Sequence, residues 1–382
     1  MRHLLILFSA LIISCSSQNE NDTIPEKSGP STISLGYLEA PAGFEISVFA
    51  DGVTNARQMA MSDSGILYVG SRREGKVYAI VDANNDFKAD SVYTIIEGLR
   101  LPNGVAYKDG ALFVAEVSKI WRFDNIDQTY ANSPEPTLVT DELPTEGHHG
   151  WKYIAFGPDD KLYVPIGAPC NICNHEDDNP LFATLTKMDV DGSEHKIVAK
   201  GIRNTVGFTW HPETGNIWFT DNGRDWMGDD IPPCELNEIT GTDQHFGYPY
   251  LHGNDVWDPE FGESGKAMET DFKTPVQELG AHVAPLGVMF YTGGMFPTAY
   301  KNRALIAEHG SWNRSKKVGY RISQVKFDED GNPTSYDPFI TGWLQGEEDI
   351  KGRPVSLLQL KDGSVLISDD NSGKIYRVTY SI

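Results

Sequence analysis

One recurring pattern restricts the fold of this chain more than any other feature. A turn is followed by four or five apolar or aromatic residues that end in small or polar ones. It reads GILYVGS (65–71), GALFVAE (110–116), DKLYVPI (160–166), GNIWFTD (215–221), RALIAEH (303–309) and GSVLISD (363–369). Short runs bounded by turn residues suit buried strands, and a second run such as Gly75–Ile80 or Gly373–Val378 then returns the chain. No long stretch carries a 3.6-residue period, so an all-β array built by repetition follows. Six copies predict a six-bladed β-propeller, in which the inner ends of the blades meet over a central channel. A pair of β-sandwiches or a β-helix is the alternative, and the uneven spacing counts against a β-helix. The longest gap, between the copies at 215–221 and 303–309, holds Pro232-Pro233, Gly247-Tyr248-Pro249-Tyr250 and several Trp and His residues. Connections of that length are usually functional.

The chain begins with Arg2 and an apolar run from Leu4 to Ile13, closed by Ile12-Ile13-Ser14-Cys15. Spanning a bilayer takes about 20 residues, so this run instead suits the core of a secretory signal. Its ending resembles the bacterial lipobox, which implies cleavage before Cys15 and lipid attachment to its sulfur. A plain signal peptide cut near Ser14 or Cys15 is the simpler alternative. Residues 15–36, rich in Ser, Asn, Glu, Pro and Gly, form the expected flexible tether. Residues 37–382 are then one large repeat-built domain. The expected location is the bacterial cell envelope, anchored by lipid and facing the periplasm or the exterior.

The net charge of −22 repels nucleic acid and anionic lipid heads, which are bound through Lys and Arg, and leaves a neutral substrate such as a sugar unaffected. Beyond Cys15 the cysteines are Cys170, Cys173 and Cys234. Cys170-Asn171-Ile172-Cys173 is followed by Asn174 and only then by His175, so covalent haem attachment fails by one residue. No further ligands at suitable spacing support zinc. A local disulfide between Cys170 and Cys173 is the better reading in an oxidising compartment, with Cys234 free or an alternative partner.

Three stretches join cations to tight turns: Gly201-Ile202-Arg203-Asn204-Thr205-Val206-Gly207-Phe208, Glu308-His309-Gly310-Ser311-Trp312-Asn313-Arg314, and Lys351-Gly352-Arg353-Pro354-Val355. In so acidic a chain such cations are candidates for binding an anion, since a guanidinium matches a carboxylate with two hydrogen bonds. Taken singly, each is better explained by a loop cap or an ion pair. Two carboxylate-rich stretches suit a hard cation. One is Asp221-Asn222-Gly223-Arg224-Asp225, where a glycine turn exposes carbonyls. The other, Asp82–Asp90, opens like a calcium loop, but Phe87 replaces the usual glycine and no glutamate closes it; a solvated turn suits it equally.

Together, Gly201–Phe208, Thr220–Asp225, Ala284-Pro285-Leu286-Gly287 and His309–Arg314 resemble the glucose/sorbosone dehydrogenase family, and most of all its L-sorbosone and pyranose dehydrogenase branch. The likeness runs from about residue 40 to 380 and implies a six-bladed propeller that uses pyrroloquinoline quinone (PQQ) and calcium. The family places a catalytic histidine seven residues before a Phe-Gly-Pro-Asp turn, here Phe156-Gly157-Pro158-Asp159, which makes His149 the implied general base. His148 would orient it or touch substrate. The resemblance further implies that Arg203 and Asn204 contact the quinone, that the backbone oxygens of Gly223 and Arg224 hold calcium, and that Arg314, Lys351 and Arg353 bind quinone carboxylates. His282, where glucose-specific relatives carry a smaller hydroxyl residue, either lines the cofactor pocket or closes a loop. Cys234 stands where the pattern has an acid. Trp151, Trp226, Trp312 and Trp343 offer stacking faces for a sugar or packing between blades.

The expected activity is oxidation of a sugar or sugar aldehyde, such as sorbosone, by hydride transfer to the quinone. Electrons would leave through a separate acceptor, a cytochrome or a quinone. A calcium-dependent lactonase-type hydrolase and a non-catalytic propeller that binds carbohydrate or protein are the alternatives, because a fold does not dictate its use.

Overall fold

The computed structural model describes residues 32–381. The expected signal peptide 1–14, Cys15 and most of the tether lie outside the described residues. Thr32–Leu35, expected within the tether, is a strand that pairs antiparallel with Leu38–Pro41.

Six sheets of four or five strands carry the chain. The first is Ala56–Met61, Leu67–Ser71, Val77–Val81 and Ser91–Ile96, and the second Gly104–Lys108, Ala111–Ala115, Ile120–Phe123 and Thr137–Thr140. The third is Ala155–Phe156, Leu162–Ile166, Thr184–Met188 and Lys196–Lys200, with Gln244–His245 added in parallel at its edge. The fourth holds Phe208–Trp210, Ile217–Asp221, Cys234–Ile239 and Gln277–Leu279, and the fifth Pro285–Phe290, Ala304–Glu308, Arg321–Phe327 and Pro333–Ile340. The sixth joins Pro354–Gln359, Val365–Asp369 and Lys374–Tyr380 to Phe44–Ala50 from the other end of the domain. That pairing closes a six-bladed propeller, and closure by backbone hydrogen bonds between the chain's two ends leaves no first or last blade to fray.

Each copy of the sequence pattern is the second strand of its blade, and all five residues of each of these six strands are buried. This explains why they read as continuous apolar runs: a strand covered by neighbouring blades on both faces has no polar side to alternate with. Outer strands such as Ser91–Ile96 are largely exposed and leave a weaker signal. Clusters such as Phe49, Met59, Leu67, Tyr78, Leu366 and Ile375 fill the seams between blades.

The long gap is an excursion between the third and fourth strands of the fourth blade. It carries the edge strand Gln244–His245, the hairpin Leu251–His252 and Val256–Trp257, and the short helix Gly262–Ala267. Trp343 is fully buried and its Nε1 donates to Asp369 Oδ2 at 3.1 Å, so it is a packing residue and offers no face to a sugar.

Candidate active site

Loops from several blades surround one cavity of about 670 Å³. Arg57, Arg72, Arg73, Arg203 and Arg353 line it, with His148, His149, His282 and His309, while Asp225 is its single carboxylate. A chain with 54 acidic against 32 basic residues has therefore gathered cations at one place.

His149 sits in the loop that leads into the third blade and is 7% exposed. Its backbone is left-handed, with φ of 48°, and its Cβ lies so near Gly167 that a side chain there would meet it at 2.6 Å. Nδ1 donates to the Ala168 carbonyl at 2.9 Å, which leaves Nε2 as the unprotonated acceptor. Burial, then the positive Arg203 and neighbouring His148, holds its pKa well below the ordinary histidine value. The ring is therefore neutral at working pH, as a base must be. The His148 ring lies 4.1 Å away between centroids, tilted by 56°, and burial likewise lowers its pKa.

Arg203 is fixed by three neutral acceptors. Nε donates to the Asn171 carbonyl (2.8 Å), Nη2 to Asn171 Oδ1 (2.8 Å) and Nη1 to the Asn222 carbonyl (2.9 Å). Its backbone and that of Asn204 are held by Asp221, whose carboxylate accepts both N–H groups at 2.7 and 2.6 Å. Asp225 lies 3.8 Å from Arg203 and 3.7 Å from His282 Nδ1. That carboxylate raises the pKa of His282, whose Nε2 donates to the Gly228 carbonyl at 2.8 Å.

A second group of the lining is built round Asp370. It accepts from Arg57 Nη1 at 2.8 Å and from His309 Nε2 at 2.9 Å. Burial would raise its pKa, but His309 and Arg57 outweigh that and hold it well below the carboxylate range. Arg353 Nη1 then donates to His309 Nδ1 at 3.3 Å and Nη2 to the Tyr320 hydroxyl at 3.1 Å. Arg72 lies 3.7 Å over the Trp151 ring, and burial, with Arg57 close by, pulls its pKa down to about 10. Arg72 Nε and Trp151 Nε1 are both buried without a hydrogen-bond partner among the described residues. Unpartnered buried donors are costly, and two on one cavity wall point to an acceptor that belongs there.

His149, Arg203, Asn204, Gly223, His282 and Arg353 thus meet at one cavity. Arg314 and Lys351 do not line it. Arg314 Nη2 pairs with Asp230 at 2.9 Å in a neighbouring depression, and Lys351 Nζ pairs with Asp349 at 2.7 Å. Nearby surface carboxylates hold both cations away from the centre. The Arg224 guanidinium is turned from the cavity too, toward Asp258 of the excursion, which also accepts from His252. Sequence reasoning missed Arg57, Arg72, Arg73 and Asp370; its available signal was the adjacent Arg72-Arg73 directly after a buried strand of an acidic chain.

Cys170 and Cys173 are joined in a disulfide. Cys234 is a free, buried thiol on the cavity, its pKa pushed up to about 11 by burial. Trp151 and Trp312 line the cavity, Trp312 and Trp226 being 69% and 66% exposed at its rim and beside it. In Asp82–Asp90 the carboxylates of Asp82, Asp86 and Asp90 accept from the loop's own amides, which is how a closed turn holds itself. Among the described residues no cluster of three His, Cys, Asp or Glu side chains is arranged to hold a metal.

The TrAA12-like family model matches residues 38–261 and 258–381. An uncharacterized protein of Borreliella burgdorferi is 35% identical over 356 residues, covering 90% of this chain and 91% of that protein. A protein of Hypocrea jecorina named as a pyrroloquinoline quinone-dependent sugar dehydrogenase is 24% identical over 434 residues, covering 98% and 95%. The solved structures of the Trichoderma reesei family AA12 enzyme, in iodide and calcium forms, share the fold with TM-scores of 0.75 and 0.73 at 23% and 22% identity. They cover 92% of this chain and 100% and 99% of their own.

Proposed function

The chain belongs to the TrAA12-like family of PQQ-dependent sugar dehydrogenases, and on that premise we propose that it oxidises a sugar or sugar aldehyde in the arginine-lined cavity, with His149 as general base. The observation that carries this reading is the His149 ring, fixed through Nδ1 and kept neutral beside five arginines. A binding protein has no use for a buried, unprotonated imidazole nitrogen at the centre of an anion site.

The lining fits a flat aromatic tricarboxylate. Arg72 Nε and Trp151 Nε1 are donors without acceptors, and the cavity's arginines exceed its carboxylates. Arg72, Arg73 and Arg353 on one side, with Arg203 and Asn204 on the other, would hold the cofactor. PQQ held there would supply an electrophilic quinone as the hydride acceptor. The main-chain oxygens of Gly223 and Arg224 would hold a calcium ion, a Lewis acid, close to Asp225. His149 Nε2 takes the proton from the substrate hydroxyl, and Trp151 and Trp312 limit the access of water and flank the substrate ring. The calcium-dependent hydrolase reading needs no arginine-rich cavity, and it is the weaker one for that reason.

We read Cys15 as the lipid attachment site, so the domain works at the bacterial cell envelope and hands electrons to a separate cytochrome or quinone. The test is titration of PQQ into metal-stripped protein with and without calcium, followed by dye reduction with aldoses and sorbosone. Saturable binding and sugar-dependent reduction support the reading; failure to bind the quinone ends it.

A further inference from the structure

The loop that follows strand Leu162–Ile166 touches His149, Arg203 and Asp225 on one side of the cavity. Ala168 accepts from His149 Nδ1 through its carbonyl, and its N–H donates to the Arg203 carbonyl at 2.8 Å. Three residues on, Asn171 uses both its main-chain and side-chain oxygens. Its carbonyl accepts from Arg203 Nε, and its Oδ1 accepts from Arg203 Nη2 and from the Asp225 N–H at 2.9 Å. Its Nδ2 donates to the Asp225 carbonyl at 3.4 Å. One asparagine therefore joins the loop of the third blade to the cation and the carboxylate of the fourth.

What holds Asn171 is the disulfide on either side of it, between Cys170 and Cys173. The Cys173 N–H also donates to the Tyr248 hydroxyl at 3.1 Å, and Asn174 Nδ2 donates to the Tyr250 hydroxyl at 2.7 Å. These anchors lie in the long excursion, which explains a part of its presence. A loop of this kind has little apolar surface of its own with which to keep a fixed shape, so a covalent closure and side-chain anchors do it instead.

We propose that Asn171 is a positioning residue for the quinone site, and that the Cys170–Cys173 disulfide acts through it by holding Arg203 and Asp225 in place. The inference rests on the quinone reading for its consequence but not for its geometry. Among the described residues no carboxylate accepts a hydrogen bond from the Arg203 guanidinium, Asp225 lying 3.8 Å away, so neutral oxygens set the orientation of its fork. Remove Asn171 and two of the three acceptors of that guanidinium are altered or lost, together with the tie to Asp225. Charge-assisted bonds of this type are strong enough that the loss of one costs about a tenfold change in an equilibrium constant.

The experiment compares the full chain with Asn171→Ala, Asn171→Asp and the double variant Cys170→Ser/Cys173→Ser. Amide hydrogen exchange follows the segment 222–226, and PQQ titration follows affinity. Asn171→Ala and the double variant are expected to speed exchange at the Asp225 amide and to weaken PQQ about tenfold. Asn171→Asp, which keeps the side-chain acceptor, restores the slow exchange. Melting temperatures separate this from general unfolding: a variant that loosens only 222–226 keeps slow exchange in strand Ile217–Asp221. Unchanged exchange at Asp225 in Asn171→Ala overturns the inference. Faster exchange with unchanged PQQ affinity overturns its link to the site. If the parent chain itself fails to bind PQQ, the quinone reading falls, and the exchange result still decides whether Asn171 positions Arg203 and Asp225.

Discussion

The two walls of the cavity use arginine in opposite ways. On the His149 side a single arginine, Arg203, is oriented by neutral oxygens and stands near one carboxylate, Asp225. In the other group Arg57 pairs with a buried acid, Asp370, which through His309 is linked to Arg353, and Arg72 and Arg73 line the same cavity. The first, with Arg203 beside Asp225, is nearly balanced in charge and carries His149, the proposed base. The second carries a surplus of positive charge, and its Arg72 Nε and Trp151 Nε1 lack partners. Both groups offer cations to an anion, but the charges nearest the His149 ring are Arg203 and Arg72, which lower its pKa rather than raise it.

Substitutions in each group test that contrast in different observables. His149→Ala removes the proposed base, and a positioned general base is worth about 10²–10⁴ in turnover; kcat should fall by that much while PQQ affinity changes little. Loss of affinity in parallel with kcat would show that His149 belongs to the binding wall. Arg57→Ala strips a buried partner from Asp370, 1% and 8% exposed as they are. Breaking such a pair costs about 3–5 kcal/mol, read as a lower urea midpoint with unchanged slope. Arg72→Ala is the contrast within that same wall. It deletes a donor, Nε, that has no partner among the described residues, and the contact over Trp151, so stability should fall by about 0.5–2 kcal/mol, less than for Arg57→Ala. PQQ affinity should nevertheless drop about tenfold, as for loss of one charge-assisted bond. Equal binding by the Arg72→Ala protein would remove the surplus-charge argument.

The same contrast marks what could be read from the chain. The six blades are legible because each second strand is buried on both faces and leaves an unbroken apolar run. Arg203, Asn204 and Arg353 stand beside glycine turns at strand starts, where a motif can be recognised. Arg57 sits within strand Ala56–Met61 and reads as the polar residue of an ordinary strand; only closure of the ring sets it against Asp370, 313 positions away. Arg314 and Lys351 show the opposite failure. Their motifs lie near the cavity, but Asp230 and Asp349 take the side chains, a choice made by loop geometry that spacing does not record.

The smallest expected effect concerns pH. Burial lowers the pKa of His149 and of His309, but His309 faces Asp370, which opposes the shift, while His149 faces Arg203 and His148, which add to it. A histidine whose folded pKa lies below its unfolded value near 6.5 takes up its proton more readily when unfolded. Stability contributed by these rings is therefore present above pH 6.5 and lost as pH falls below it. Asp221 and Glu235 stand opposite each other on paired strands, and burial raises their carboxyl groups to about 6 and about 8. Their sign is reversed: the folded chain keeps protons that the unfolded chain releases, so they cost stability as pH rises toward 8. His149→Asn removes one term from the acid limb alone. Over that limb each titrating group is worth about 1.4 kcal/mol per pH unit, so urea midpoints below pH 6.5 should decline less steeply in the variant, with the limb above pH 7 unmoved. His309, with its carboxylate partner, sheds less stability over the same range, so the variant should remove the larger share of the slope. An acid limb unchanged by His149→Asn would mean that the ring is not held neutral by its surroundings, and the reading of His149 as the base would fail at its first step.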